Sequence, residues 1–256
     1  MIVLNEYEWA ERAIAAHELG KKPYETLSRV AKYYYENGYS KREIRQMLDS
    51  FLLQCDATAS LQKWSGTLDA AVKSIGKLDL VCMDSIDVTK GELSKIKELG
   101  GKQIQRLAFT LLCVAKYKDA TREKNDHWVN LDDKEISAMA NINTTIRRQS
   151  AMYTAMRDAG MIQFSKRIDN LSARVLFIQD GEVVMRITDF RNLGYQYLKY
   201  YGDAYFECQN CGLVVRSNRK ATGRPQKYCP ACAIEVKTRQ TINSIMKSRA
   251  NKKESA

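Results

Sequence analysis

WVNLDDKEISAMANINTTIRRQSAMYTAMRDAGMIQFSKRIDNLSARVLFIQDGEVVMRI, Trp128 to Ile187, changes its period at Gly160. Before that glycine, Asp132 and Glu135 open a short helix carrying Ile136 and Met139. Asn141-Ile142-Asn143 makes a turn, and Thr144 starts a second helix. Gly160 stops this helix, because a residue without Cβ adopts the left-handed conformation at little cost. After it the pattern is period two: Met161, Ile162 and Phe164, an Asp169-Asn170 turn, Val175 to Ile178, an Asp180-Gly181 turn and Val183 to Ile187. Upstream, Ile104, Leu107, Ala108, Leu111, Leu112 and Ala115 give the longest clean helical stripe in the chain.

Long helix, short helix, turn, helix, then a hairpin with a polar tip is an order that resembles the winged helix-turn-helix. The resemblance implies that the helix after the turn enters a DNA major groove while the hairpin lies along the backbone. At 100° per residue, Ile146, Met152, Tyr153 and Met156 gather toward a core, and Arg147, Ser150, Ala151 and Thr154 gather opposite. With Thr144 and Arg148 these form the expected DNA-contacting set, small and polar as groove entry requires. Lys166, Arg167 and Arg174 load the hairpin with phosphate-seeking charge. Many domains of this order only hold protein contacts, so that reading stands beside the first.

Ahead of this segment the pattern is helical. Asn5 to Gly20 reads as one helix, Pro23 to Gly38 as a second, and Ser40 with Glu43 forms a capping box ahead of Ile44, Met47, Leu48, Phe51, Leu52 and Cys55. A fourth helix carries Leu61, Trp64, Leu68, Val72 and Ile75. Tyr33, Tyr34 and Tyr35 point in different directions on their helix and pack at its core or rim rather than forming one stacking platform. LDLVCMDSIDV, from Leu78, reads as a short hairpin, and a capping box runs from Thr89 to Glu92.

Charge is concentrated at the other end. Net charge is +11, from 41 Lys and Arg against 30 Asp and Glu, and residues 201–256 carry 11 cations against 4 acids. Such concentration fits contact with a polyanion. In the same region CQNCGLVVRSNRKATGRPQKYCPACAIEVKTRQ places Cys208, Cys211, Cys229 and Cys232 in two C-x2-C pairs, the spacing of one structural Zn2+ site. Gly212 lets the first turn close, and Pro230 suits the first turn of a helix that begins at the second pair. This order resembles a treble-clef zinc finger. Arg216, Arg219, Lys220, Arg224 and Lys227 fall on its hairpin and loop, and Lys237 and Arg239 on the helix behind; all are candidate nucleic-acid contacts. Ile242, Ile245 and Met246 give that helix an apolar patch. Cys55, Cys82 and Cys113 sit singly in apolar stretches and read as buried thiols. Acidic residues stand where a secretory signal needs cations, and no apolar run reaches membrane-spanning length. A reducing bacterial cytoplasm is expected, without membrane attachment.

KPYETLSRVAKYYYENGYSKREI, RLAFTLLCVAKY, DKEISAMANINTTIRRQS, DFRNLGYQYLKYYG, FECQNCGLVVR and KYCPACAIEVKTRQ are similar to stretches of a group of phage and prophage proteins from low-GC Gram-positive bacteria. That resemblance implies a phage context and no particular activity. The expected architecture is mainly α with small β-hairpins. Residues 1–77 form a helical bundle for dimerisation or partner docking, 78–203 a winged-helix domain, and 204–256 a four-cysteine zinc finger with a basic helix. The expected function is non-enzymatic DNA binding in transcription regulation or replication initiation. The chain has only two histidines, no phosphate loop and no paired carboxylates on one motif. Double-stranded DNA is the expected ligand, although a basic finger does not distinguish DNA from RNA. The alternative is a zinc-stabilised interaction protein that binds a host or phage complex such as polymerase, helicase or defence machinery.

Overall fold

The computed structural model describes residues 2–77, 79–122, 125–165, 172–217 and 225–254, with side chains followed to residue 247. Contacts divide the chain into two compact units, Met1–Ser85 and Ile86–Ala256. Among the described residues ten helices and three small antiparallel sheets account for the regular structure, and no helix is long and apolar enough to cross a membrane.

The first unit holds α1 (Glu6–Ala16), α2 (Pro23–Glu36), α3 (Lys41–Cys55) and α4 (Leu61–Lys73). Leu27, Val30, Ile44, Leu48, Phe51, Leu52 and Leu68 form its core, and the Ser40–Glu43 capping box is present. α1 ends at Ala16 rather than at Gly20. His17 closes it with φ 52° and stays exposed. The tyrosines of α2 line a rim: Tyr33 packs on Tyr7 with ring centroids 4.7 Å apart, Tyr34 meets Tyr39 edge-on, and Tyr35 is exposed.

The hairpin expected from Leu78 does not form. Residues 79–85 instead run beside the start of the chain, where Met83 N donates to Leu4 O (2.9 Å) and Glu6 N to Val81 O (2.7 Å). The Glu6 carboxylate in turn accepts from Arg29 Nε (2.7 Å) and Val81 N (3.1 Å). This pairing keeps residues 79–85 with the first unit, which ends at Ser85. It also leaves Cys82 exposed, where a buried thiol was expected.

The second unit is built around α6 (Lys102–Thr121), which follows β1 (Ile86–Thr89) and α5 (Lys90–Lys97). Then come β2 (Trp128–Val129), α7 (Asp133–Met139), α8 (Ile146–Asp158), β3 (Ile162–Phe164), β4 (Ala173–Val175), β5 (Val183–Ile187), α9 (Leu193–Tyr200), β6 (Tyr205–Glu207), β7 (Val214–Arg216) and α10 (Pro230–Glu254). β2, β4 and β3 form one sheet in that order. The second expected hairpin, across Asp180-Gly181, is absent: β5 pairs with β1, with Ile86 opposite Ile187. The described part of residues 204–256 belongs to the same unit as residues 86–203.

The β1–α5 capping box has a further role. Glu92 is fully buried, and its carboxylate accepts from Thr89 N (2.8 Å), Gln179 N (3.2 Å) and Lys116 Nζ (2.7 Å). Lys116 also donates to Asp87 O (2.7 Å), so one ion pair ties α5, α6, β1 and the segment before β5 together. Lys116→Met leaves a buried carboxylate without its counter-charge and is expected to destabilise the second unit by about 3–5 kcal/mol. Adding Glu92→Gln should recover most of that loss, measured by urea unfolding; equal losses for single and double variants would contradict the pairing.

Candidate metal centre and the free face of α8

β6 and β7 pair in antiparallel register, Tyr205 opposite Arg216 and Glu207 opposite Val214. Cys208 and Cys211 lie in the turn at their tip. Gly212, at φ 70°, closes that turn in a conformation that side chains other than glycine's rarely adopt, and its amide reaches Cys208 O at 2.9 Å. Gln209 N donates to Lys227 O (2.9 Å), bringing the second cysteine pair alongside the first. Cys229 precedes Pro230, and Cys232 stands in the first turn of α10, as the proline implied.

The four sulfurs lie within 4.8 Å of one another, and Cys208, Cys229 and Cys232 are buried. Cys211 Sγ and Cys229 Sγ are 3.8 Å apart, far beyond a disulfide bond. That distance matches the edge of about 3.8 Å of a tetrahedron with metal–sulfur bonds of about 2.3 Å. Two sulfurs also accept hydrogen bonds, Cys208 from Cys229 N (3.3 Å) and Cys232 from Asn210 Nδ2 (3.4 Å). Burial pushes the Cys208 thiol up, but the amides of Cys229, Asn210 and Cys211 outweigh it and bring it to about 6. The Asn210 side chain pulls Cys232 down, while burial and the three neighbouring thiols push it up to about 12. The set fits one metal ion. Among the described residues no other group of three or more metal-binding side chains converges in this way.

Residues that the sequence reading missed attach this module to the rest of the unit. Arg191, paired with Asp189 (2.6 Å), donates from Nη2 to Cys211 O at 2.8 Å. Asn192, at φ 54°, donates to Val214 O (2.9 Å) and accepts from Asn141 Nδ2 (2.8 Å). Asn141, at φ 55° in the turn between α7 and α8, accepts in turn from Tyr195 N and Arg106 Nη1. The turn at Asn141 was legible; that a second left-handed asparagine would bond it was not.

In α8 the Thr145 hydroxyl accepts from Arg148 N and caps the helix, while Thr144 is half-buried. Met152 and Met156 are buried, Tyr153 is half-buried, and Arg147, Arg148, Ser150, Ala151 and Thr154 are exposed, as expected. Ile146 is not in the core: it is 83% exposed, because the first turn of α8 extends past the core that holds Met152. Arg174 is held by Asp126, to its carboxylate at 2.5 Å and its carbonyl at 3.1 Å. Arg216, Lys227, Lys237 and Arg239 are exposed. Lys166, Arg167, Arg219, Lys220 and Arg224 lie outside the described residues. Of the lone cysteines, Cys113 is buried and Cys55 half-buried.

Comparison with protein-family models, with curated proteins and with solved structures finds no match to the chain.

Elemental analysis of protein purified without chelator is expected to find one metal ion per chain, and Cys229→Ser should lose most of it, because ligand loss breaks a closed site. A metal-free native protein would contradict the site. Asn192→Ala removes two side-chain hydrogen bonds and is expected to cost about 1–3 kcal/mol. It should raise amide exchange in β6–β7 while leaving metal content unchanged; unaltered exchange would contradict the tether.

Proposed function

We propose that this chain is a non-enzymatic, zinc-containing protein of a phage or prophage that binds double-stranded DNA, acting in transcription regulation or replication initiation. The observation that carries the proposal is the free face of α8: Ile146, Arg147, Ser150, Ala151 and Thr154 are all exposed on a helix that follows a turn. The element order α6–β2–α7–α8–β3–β4, with β2 paired to β4, supports a winged helix-turn-helix reading. On that reading α8 is the groove-entering helix and β3–β4 the wing. The exposed Ile146 then has a use: an apolar side chain at the head of such a helix meets the thymine methyl group in the major groove.

Zinc is the metal we assign, since four thiolates with no open position make a structural tetrahedral site. Its contribution is folding energy for the β6–β7 and α10 module. The exposed Arg216, Lys227, Lys237 and Arg239 supply backbone attraction without sequence choice. The phage assignment rests on the resembling stretches, and the asymmetric charge supports a polyanionic ligand over a purely protein-binding role.

Selection from a random duplex library is expected to enrich one site. Arg147→Ala with Thr154→Ala should cut preference for it by about 1–3 kcal/mol per lost base contact, with the fold unchanged. Ile146→Ala should abolish discrimination between thymine and uracil in that site. If native protein enriches nothing, α8 serves protein contact instead and the DNA reading fails.

A further inference from the structure

Tyr195 of α9 and Tyr205 of β6 lie ring on ring, with centroids 4.7 Å apart and planes 32° from parallel, and both are half-buried. The hairpin register sets the exposed Arg216 of β7 opposite Tyr205. Arg106 of α6 is held on three sides: Nε donates to Lys102 O (3.3 Å), Nη1 donates to Asn141 O (2.9 Å), and a Cβ on Gly194 would come within 3.0 Å of its Cδ. These groups share one neighbourhood. Burial and then Tyr195 raise the Tyr205 phenol, Arg106 and Arg216 pull it back, and Asp203 adds to the rise. Tyr205 therefore keeps its proton and is free to donate it in a hydrogen bond.

What the cluster lacks is an acceptor. Among the described residues nothing bonds the hydroxyl of Tyr195 or of Tyr205, Arg106 Nη2 or the guanidinium of Arg216. Elsewhere in the unit Arg157, Arg174, Arg186 and Arg191 each face a carboxylate. The acids beside the cluster are already taken, Asp203 by Lys102 (2.7 Å) and Glu207 by Lys199 (2.9 Å). Two guanidiniums are thus left without a counter-charge.

We infer that Tyr205, Arg216 and Arg106, with the Tyr195 hydroxyl beside them, form a binding site for a phosphate group. Donors that arrive from three elements suit a tetrahedral oxyanion, whose oxygens point several ways, over a planar carboxylate that one guanidinium fork satisfies. The ring stack and the anchored Arg106 hold part of the donor set in place before the anion arrives. The site stands without α8; its assignment to the backbone phosphates of duplex DNA rests on the DNA reading, the other source being free phosphate.

Titration of the full-length, metal-loaded protein with inorganic phosphate, acetate and chloride at matched ionic strength tests the site, read by the arginine Nε–H signals in NMR. Phosphate should give a saturable shift at Arg216 and Arg106, and acetate and chloride a weaker one. Arg216→Gln, and Tyr205→Phe, which keeps the ring stack, should each weaken phosphate about three- to tenfold with metal content unchanged. Arg157→Gln removes an equal charge elsewhere on the unit and should leave phosphate binding as it is. No saturable response to phosphate, acetate bound as tightly, or the same loss in Arg157→Gln would each overturn the site. Random-sequence duplex identifies the source: Arg216→Gln should weaken its binding and flatten the slope of log affinity against log salt by about 0.9. Phosphate binding lost in the variants with duplex binding unchanged would overturn the backbone assignment and give the site to free phosphate. Native protein that binds phosphate but no duplex would contradict the DNA reading alone, so the two readings fail separately.

Discussion

From Leu107 to Ala115, nine consecutive residues of α6 have essentially no exposed surface. A helix buried on all sides cannot settle with one partner, so elements must converge on it from every direction. α5 and β1, α7, α8, β2 and β4, and α9 all do so. Phe109 takes Tyr197 of α9 (5.3 Å between centroids), and Tyr117 takes Phe190 (5.5 Å). α8 turns Met152 and Met156 into this enclosure, while Arg147, Ser150, Ala151 and Thr154 on its other side stay exposed.

The second organising feature is electrostatic. The four cysteine sulfurs lie within 4.8 Å of one another, and one cation held among them would offset the repulsion between their thiolates and bind the β6–β7 tip to the start of α10. Asn192 and Arg191 bond the β6–β7 module to the start of α9, and Asn141 bonds Asn192 to the turn that precedes α8. A module too small to build its own core is thereby fixed to one that has such a core.

Sequence made the local chemistry readable. The Ser40–Glu43 and Thr89–Glu92 capping boxes, the helix start at Pro230 and the cysteine spacing are signals contained within a few residues, and each is found. What failed was pairing at a distance. Residues 79–85 and Val183–Ile187 both run extended, yet their partners lie at Leu4–Glu6 and Ile86–Thr89, which no local turn specifies. The helical stripe of α6 marks one face and leaves out Phe109 and Val114, which with Cys113 make the helix apolar all round. Ile146 was misplaced because an apolar residue in phase with a stripe reads as core even where the core has already ended.

Entry of α8 into a major groove is the central claim, and methylation interference on the selected site tests that contact atom by atom. Guanine N7 lies in the major groove and adenine N3 in the minor. If α8 occupies the groove, methylation at N7 within a short tract blocks binding while methylation at N3 in the same tract does not. Binding that tolerates N7 methylation throughout the site would contradict it.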